Sequence, residues 1–126
     1  MVNYKIVKVG EKEHTVVCGV GAIIKLQKEF GGLVQMSDGL FPYKDKDGKT
    51  TEADIETTCR ILKVLEEEAA ESKEGLQTNS IEEIEEEVVK SQDWTLIALE
   101  LWEIVNKSIA GDEEKKEQKK EKPAEK

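Results

Sequence analysis

Apolar residues recur along this chain with two periods, alternation first and helical spacing afterwards. Residues 3–9, NYKIVKV, put Tyr4, Ile6 and Lys8 on one side and Lys5, Val7 and Val9 on the other. Residues 13–18, EHTVVC, are rich in β-branched side chains and follow Gly10-Glu11-Lys12. This predicts a β-hairpin with Gly10 opening the turn. Two strands alone are marginal in water, so the hairpin needs helices to lie on.

From Val20 the period changes. Val20, Ile23 and Ile24 fall at i, i+3, i+4, Leu26 and Phe30 widen the stripe, and Gly31-Gly32 ends it. Residues 31–51, with four glycines, Pro42 and several aspartates, are the least regular part. Three outcomes stay open there: a short strand at Leu33–Met36, docking of Leu40-Phe41-Pro42-Tyr43 on the core, or a mobile arm. A second helix is expected over about residues 52–71, capped by Thr51 or Thr50, with Ile55, Cys59, Leu62, Leu65 and Ala69 facing inward. Its acidic run Glu66-Glu67-Glu68 opposes the helix macrodipole. A polar stretch, Ser72–Asn79, follows.

A third helix starts at Ser80, which forms a capping box with Glu83. Ile81, Ile84 and Val88 turn inward, with Val89 left open as a fourth inward position, and Glu82, Glu83, Glu85, Glu86 and Glu87 turn out. A fourth helix begins after Asp93, a plausible N-cap. Trp94, Ile97, Ala98, Leu101 and Val105 form its main stripe, and Leu96, Leu99, Trp102, Ile104 and Ile109 extend it nearly all round. A helix apolar on most sides is either central in a core or shared with a partner. The expected fold class is α+β, mostly α: one domain over residues 1–109, an N-terminal β-hairpin followed by a small bundle of about four helices. A disordered charged tail, residues 110–126, is expected to follow, because GDEEKKEQKKEKPAEK has almost nothing apolar to offset the entropy of ordering.

Charge sharpens this picture. Residues 1–51 carry 8 Lys and 6 acids, residues 52–109 carry 5 Lys/Arg and 16 acids, and residues 110–126 carry 6 of each, so the net charge of −9 sits on the helical part. A pI near 4.8 argues against nucleic-acid binding, which needs a basic face. No apolar run reaches the ~18–20 residues of a membrane span, and the N-terminus has no apolar signal core, so a cytoplasmic protein is expected. Cys18 and Cys59 lack CxxC partners and are expected as reduced, buried thiols, with a disulfide as the alternative.

The candidate chemistry is thin. Asp45-Lys46-Asp47-Gly48 resembles the front of a calcium loop, but placing Gly48 sixth puts Tyr43 at the first ligand position, where an acid is required. Gly19-Val20-Gly21 before a helix lacks the third glycine of a dinucleotide loop and the Gly-Lys-Ser/Thr of a phosphate loop. His14, the single histidine, has polar neighbours and no nucleophile motif nearby. One His and two isolated Cys make a poor zinc set. The expectation is no enzyme, no cofactor and no metal. The aromatic residues point elsewhere. Two of the six, Trp94 and Trp102, lie within eight positions on the most apolar helix. Aromatic anchors dominate binding at interfaces, so Trp94, Leu99 and Trp102 are the candidate partner-binding residues, with one indole in the core and the other in contact.

The order of these elements resembles a known family. A short hairpin, then GAIIKLQKEFGGL, then IETTCRILKVLEEEA, then SIEEIEEEVVKSQDWTLIALELWEIVNKSIAG, is similar to the tail assembly chaperones of long-tailed phages and prophages of Gram-positive bacteria. The likeness spans roughly residues 1–110 and is one of pattern and order, without a diagnostic motif. It implies a non-enzymatic protein of the bacterial host cytoplasm, absent from the mature virion. Such a protein binds the tape-measure protein, keeps it soluble and recruits tail-tube subunits. The family often makes a longer product by ribosomal frameshifting, and the adenine-rich codons of Lys115-Lys116 or Lys119-Lys120 offer a place for slippage. The residues alone leave open a homo-oligomer and a second class of function, an acidic adaptor or inhibitor that mimics DNA.

Overall fold

The computed structural model describes residues 3–124, with side chains through residue 110. The expected disorder of residues 110–126 lies outside those fully described residues, Ala110 apart. The chain runs β1 (Lys5–Val9), β2 (Lys12–Val16), α1 (Val20–Phe30), α2 (Leu33–Leu40), β3 (Tyr43–Lys44), β4 (Thr50–Glu52), α3 (Ile55–Ser72), α4 (Ile81–Ser91) and α5 (Trp94–Ala124). It is α+β and mostly α, as the periodicity predicts, with five helices in place of about four.

β1 and β2 pair antiparallel, with Val9 opposite Lys12 and Val7 opposite His14. Gly10 takes the left-handed φ of 65° that this tight turn needs. The inward face carries Val7, Val9 and Val16, all buried, and Ile6 lies on the other face, half exposed. That hairpin rests on α3, whose Leu65 carbonyl accepts from the Val17 amide at 3.1 Å.

α3 is the central element. Cys59, Leu62, Leu65 and Ala69 are fully buried, as the stripe predicts, and Ile61 and Val64 join them. Its cap differs from expectation: Asp54, not Thr50 or Thr51, accepts from the Thr57 amide at 3.0 Å. Thr50 and Thr51 belong instead to β4, which folds back on β3 as a second small hairpin. The acidic run finds local answers to the macrodipole. Glu67 meets Lys63 at 3.4 Å, Glu68 meets Lys25 at 3.2 Å, and Glu66 meets His14.

The irregular region is a helix and a hairpin. Leu33, Met36 and Leu40 face the core at i, i+3, i+7, with Met36 and Leu40 fully buried, so the short strand is replaced by α2. Docking of the next segment is partial: Phe41 packs against the core and Tyr43 stays half exposed. α1 keeps Leu26, Ile23 and Phe30 of its predicted stripe against the core, but Val20 and Ile24 leave it. Ala22 and Leu26 are buried, while Val20 and Ile24 look outward. A small residue at 22 lets the helix approach closely, and tertiary fit outweighs the bulk of Val20.

α4 begins as predicted. Ser80 Oγ accepts from the Glu83 amide at 3.1 Å, and the Glu83 carboxylate accepts from the Ser80 amide at 2.9 Å. This box stabilises the helix by about 1 kcal/mol. Ile84 and Val88 are fully buried. The Asp93 carbonyl accepts from the Ile97 amide at 3.0 Å, which starts α5.

Candidate partner-binding surface

At ~100° per residue, α5 presents one face inward and leaves the opposite arc to solvent. Ile97, Ala98, Leu101 and Val105 are buried, and Trp94, Trp102 and Ile104 pack part-buried at the edges of that face. Leu96 is 66% exposed, Leu99 48% and Ile109 53%, so three of the five apolar positions that widened the stripe lie outside the core.

The three predicted residues separate. Leu99 and Trp102, one turn apart, line an open groove of about 680 Å³ together with Asn106 and Ile109. A second groove of about 550 Å³ flanks it, where Leu99, Glu100 and Ile104 face Ile6 and Lys5 of β1. Leu99 is therefore a ridge shared by both. Trp94 lies elsewhere, at the first turn of α5 against the core, and its indole N–H is buried without an acceptor among the described residues. Neither indole is fully enclosed. Partial desolvation raises the carboxyl of the exposed Glu100 above its ordinary 4.5, with Glu103 adding to the rise.

A second cluster is buried, and sequence reasoning did not assemble it. His14 is 1% exposed and lies between two carboxylates: Nδ1 is 2.6 Å from Glu66 Oε2, and Nε2 is 2.9 Å from Glu87 Oε1. Glu66 is itself 3% exposed, and Asn79 donates to it from its amide at 2.9 Å and from Nδ2 at 3.0 Å. Lys12 bridges the rim, 2.9 Å from Glu87 and 2.6 Å from Asn79 Oδ1, and Lys63 donates to the Asn79 carbonyl. Glu87, expected on a solvated face, is thus drawn inward, and Glu66 of the acidic α3 run is buried. Burial alone would lower the His14 pKa, but its bonds to Glu66 and Glu87 and their charges raise it above 6.5. Burial would raise Glu66, but His14 and Asn79 bring it below 4.5. The signal was present in outline: in a two-residue hairpin, alternation places His14 on the same face as Val16.

Comparisons with protein-family models, with curated proteins and with solved structures find no match for this chain. Its function therefore rests on these surfaces and on the sequence pattern.

The remaining candidates resolve into structural roles. Asp45 Oδ1 accepts from the Asp47 and Lys49 amides at 2.9 and 3.0 Å, closing the β3–β4 turn. At Gly21 the Glu68 carboxylate lies so close that an added Cβ would sit 2.7 Å from Oε2. The chain's own acid thus occupies the start of α1, where the helix dipole favours negative charge. Cys18 and Cys59 are free thiols; Cys59 is buried and Cys18 half-buried. Among the described residues no cluster of His, Cys, Asp and Glu is arranged to hold a metal ion, and no helix is long and apolar enough to cross a membrane.

Proposed function

We propose that this chain is a non-enzymatic tail assembly chaperone of a long-tailed phage or prophage. On this reading it binds the tape-measure protein in the host cytoplasm, recruits tail-tube subunits, and is left out of the virion. The observation that carries the reading is the exposed side of α5, where Leu99, Trp102 and Ile109 line one groove and Leu96 stands two-thirds exposed on the same helix. A long helical client with an apolar stripe fits such a surface by laying that stripe in the groove. The acidic faces of α3 and α4 keep the loaded complex soluble. The order of elements, similar to that of tail assembly chaperones, supplies the identity of the client.

Co-expression with a tape-measure fragment tests this. The wild-type chain should move the fragment into the soluble fraction, and Leu99→Ala with Trp102→Ala should abolish that while far-UV circular dichroism stays unchanged. Equal solubilisation by the folded variant would remove α5 as the binding surface. Competition with DNA for a basic protein, without any effect on the fragment, would replace the chaperone by a DNA mimic.

A further inference from the structure

We propose that His14, held as an imidazolium between Glu66 and Glu87, is a proton-operated latch that fastens α4 and the segment before it to the β-hairpin. The argument begins with donors and acceptors. A neutral imidazole has one N–H and one lone pair, whereas the imidazolium has two N–H groups. Here both ring nitrogens lie within 2.9 Å of carboxylate oxygens, in a site from which His14 is almost wholly removed from water. A neutral ring would set its lone pair against a carboxylate oxygen on one side. The trio therefore carries one proton more than a neutral ring with two carboxylates.

The elements it joins are far apart in sequence. His14 comes from β2, Glu66 from α3 and Glu87 from α4, separated by 52 and 73 residues from the histidine. The charged groups around the cluster belong to the same joint. Lys12 on β2 meets Glu87 and Asn79, Lys63 on α3 meets the Asn79 carbonyl, and Glu83 on α4 adds negative potential at Lys12. Asn79, one residue before the α4 cap, is tied to His14's partner Glu66 through two N–H groups. Loss of the shared proton leaves Glu66 buried without its cation and turns the Glu87 contact repulsive. Lys12, near the surface, stays charged and still holds Glu87, so α4 loosens at its His14 side while Ile84 and Val88 keep it on the core.

The direction with pH follows. His14 is raised above 6.5 in the fold, so its contribution is complete below 6.5 and is lost as pH rises through the raised value. Glu66 is lowered from 4.5, so at the acid end the latch holds until pH falls through that lowered value. The latch is closed across the interval between and opens on both sides.

The chain has one histidine, so its ring nitrogens can be followed without ambiguity in the full-length protein. Long-range proton–nitrogen correlation spectra across pH, paired with amide exchange corrected for intrinsic base catalysis, read the two halves of the proposal. Both ring nitrogens should be protonated at pH 6.5, the midpoint should lie above 6.5, and α4 protection should fall through the same midpoint. Glu87→Gln, at a partly exposed position, should lower the midpoint and carry the loss of protection with it. A ring with one bare nitrogen at pH 6.5, or α4 protection that ignores the His14 midpoint in the wild type, overturns the latch.

Discussion

Replacing His14 by Leu isolates what a buried charge costs when its partner is taken away. Glu66 is 3% exposed and would keep only the Asn79 amide and Nδ2 as donors. Glu87, with 24% of its side chain exposed, can turn to Lys12 and water, so the penalty falls on Glu66. Removing one member of a buried ion pair typically costs about 3–5 kcal/mol. The two surviving Asn79 bonds place His14→Leu at the low end, about 3 kcal/mol. A domain of this size has roughly 5–15 kcal/mol in total, so the loss is visible as a large fall in denaturation midpoint. The double variant His14→Leu/Glu66→Leu removes both charges and fills the site with apolar volume. It should lie within about 1 kcal/mol of wild type, the residue being the unpaired Asn79 donors. Urea unfolding at pH 6.5, followed by tryptophan fluorescence and far-UV circular dichroism with unchanged m-values, measures both. A single variant that loses less than about 1 kcal/mol, or a double variant as unstable as the summed singles, would refute the charge argument.

Two further predictions test the core and the thiols. Leu101→Ala, at a fully buried position of α5, should cost about 2–5 kcal/mol, whereas Leu96→Ala, two-thirds exposed on the same helix, should stay within about 0.5 kcal/mol in the same urea experiment. Burial, with Glu85, Asp54 and Glu56 adding to it, pushes the Cys59 thiol up to about 12, so at pH 8 an alkylating reagent should modify half-buried Cys18 first and reach Cys59 only in denaturant. Peptide mapping by mass reads the order, and equal native rates would contradict the packing of α3.

What could be read from the sequence was local. Ser80 and Glu83 are three residues apart, so their mutual capping needs no tertiary information, and α4 starts where they put it. The α3 stripe was legible because five apolar positions at helical spacing leave little choice of face. α2 was missed because Leu33, Met36 and Leu40 give only two turns of pattern, preceded by Gly31-Gly32 and interrupted by Gly39. On α1, Leu26 was read correctly, but Ala22 and not Val20 or Ile24 takes the inward face, and only the neighbouring elements decide that. The His14 cluster lay beyond reach for the same reason: its partners are 52 and 73 residues away, and a run such as IEEIEEEVV looks solvated until a cation is found beneath it.

Among the departures from the rule of apolar inside and charged outside, two bear on function. The chain buries His14 with Glu66 and leaves Leu96, Leu99 and Ile109 in water. Scattered exposed leucines are ordinary, but Leu99 and Ile109 share a groove with a half-buried tryptophan, and such grouping marks interaction surfaces. An apolar pair in place of His14 and Glu66 would hold β2 to α3 as firmly, so stability alone does not account for the ions. A proton-dependent joint does, because only ionisable groups can be let go without changing the sequence. The two departures meet through Glu87, the second carboxylate on His14, nine residues before Leu96. α4, which carries Glu87, ends at Ser91, and α5 starts at Trp94, with the Ser91 hydroxyl accepting from the Asp93 amide at 3.2 Å. The seating of α4 therefore fixes where α5 begins, and with it the register of the exposed residues that follow on the same helix. In a fold built for stability alone these two exceptions would be unrelated costs. On the proposed chaperone reading, one is the surface that meets the client, and the other holds the helix that leads into it.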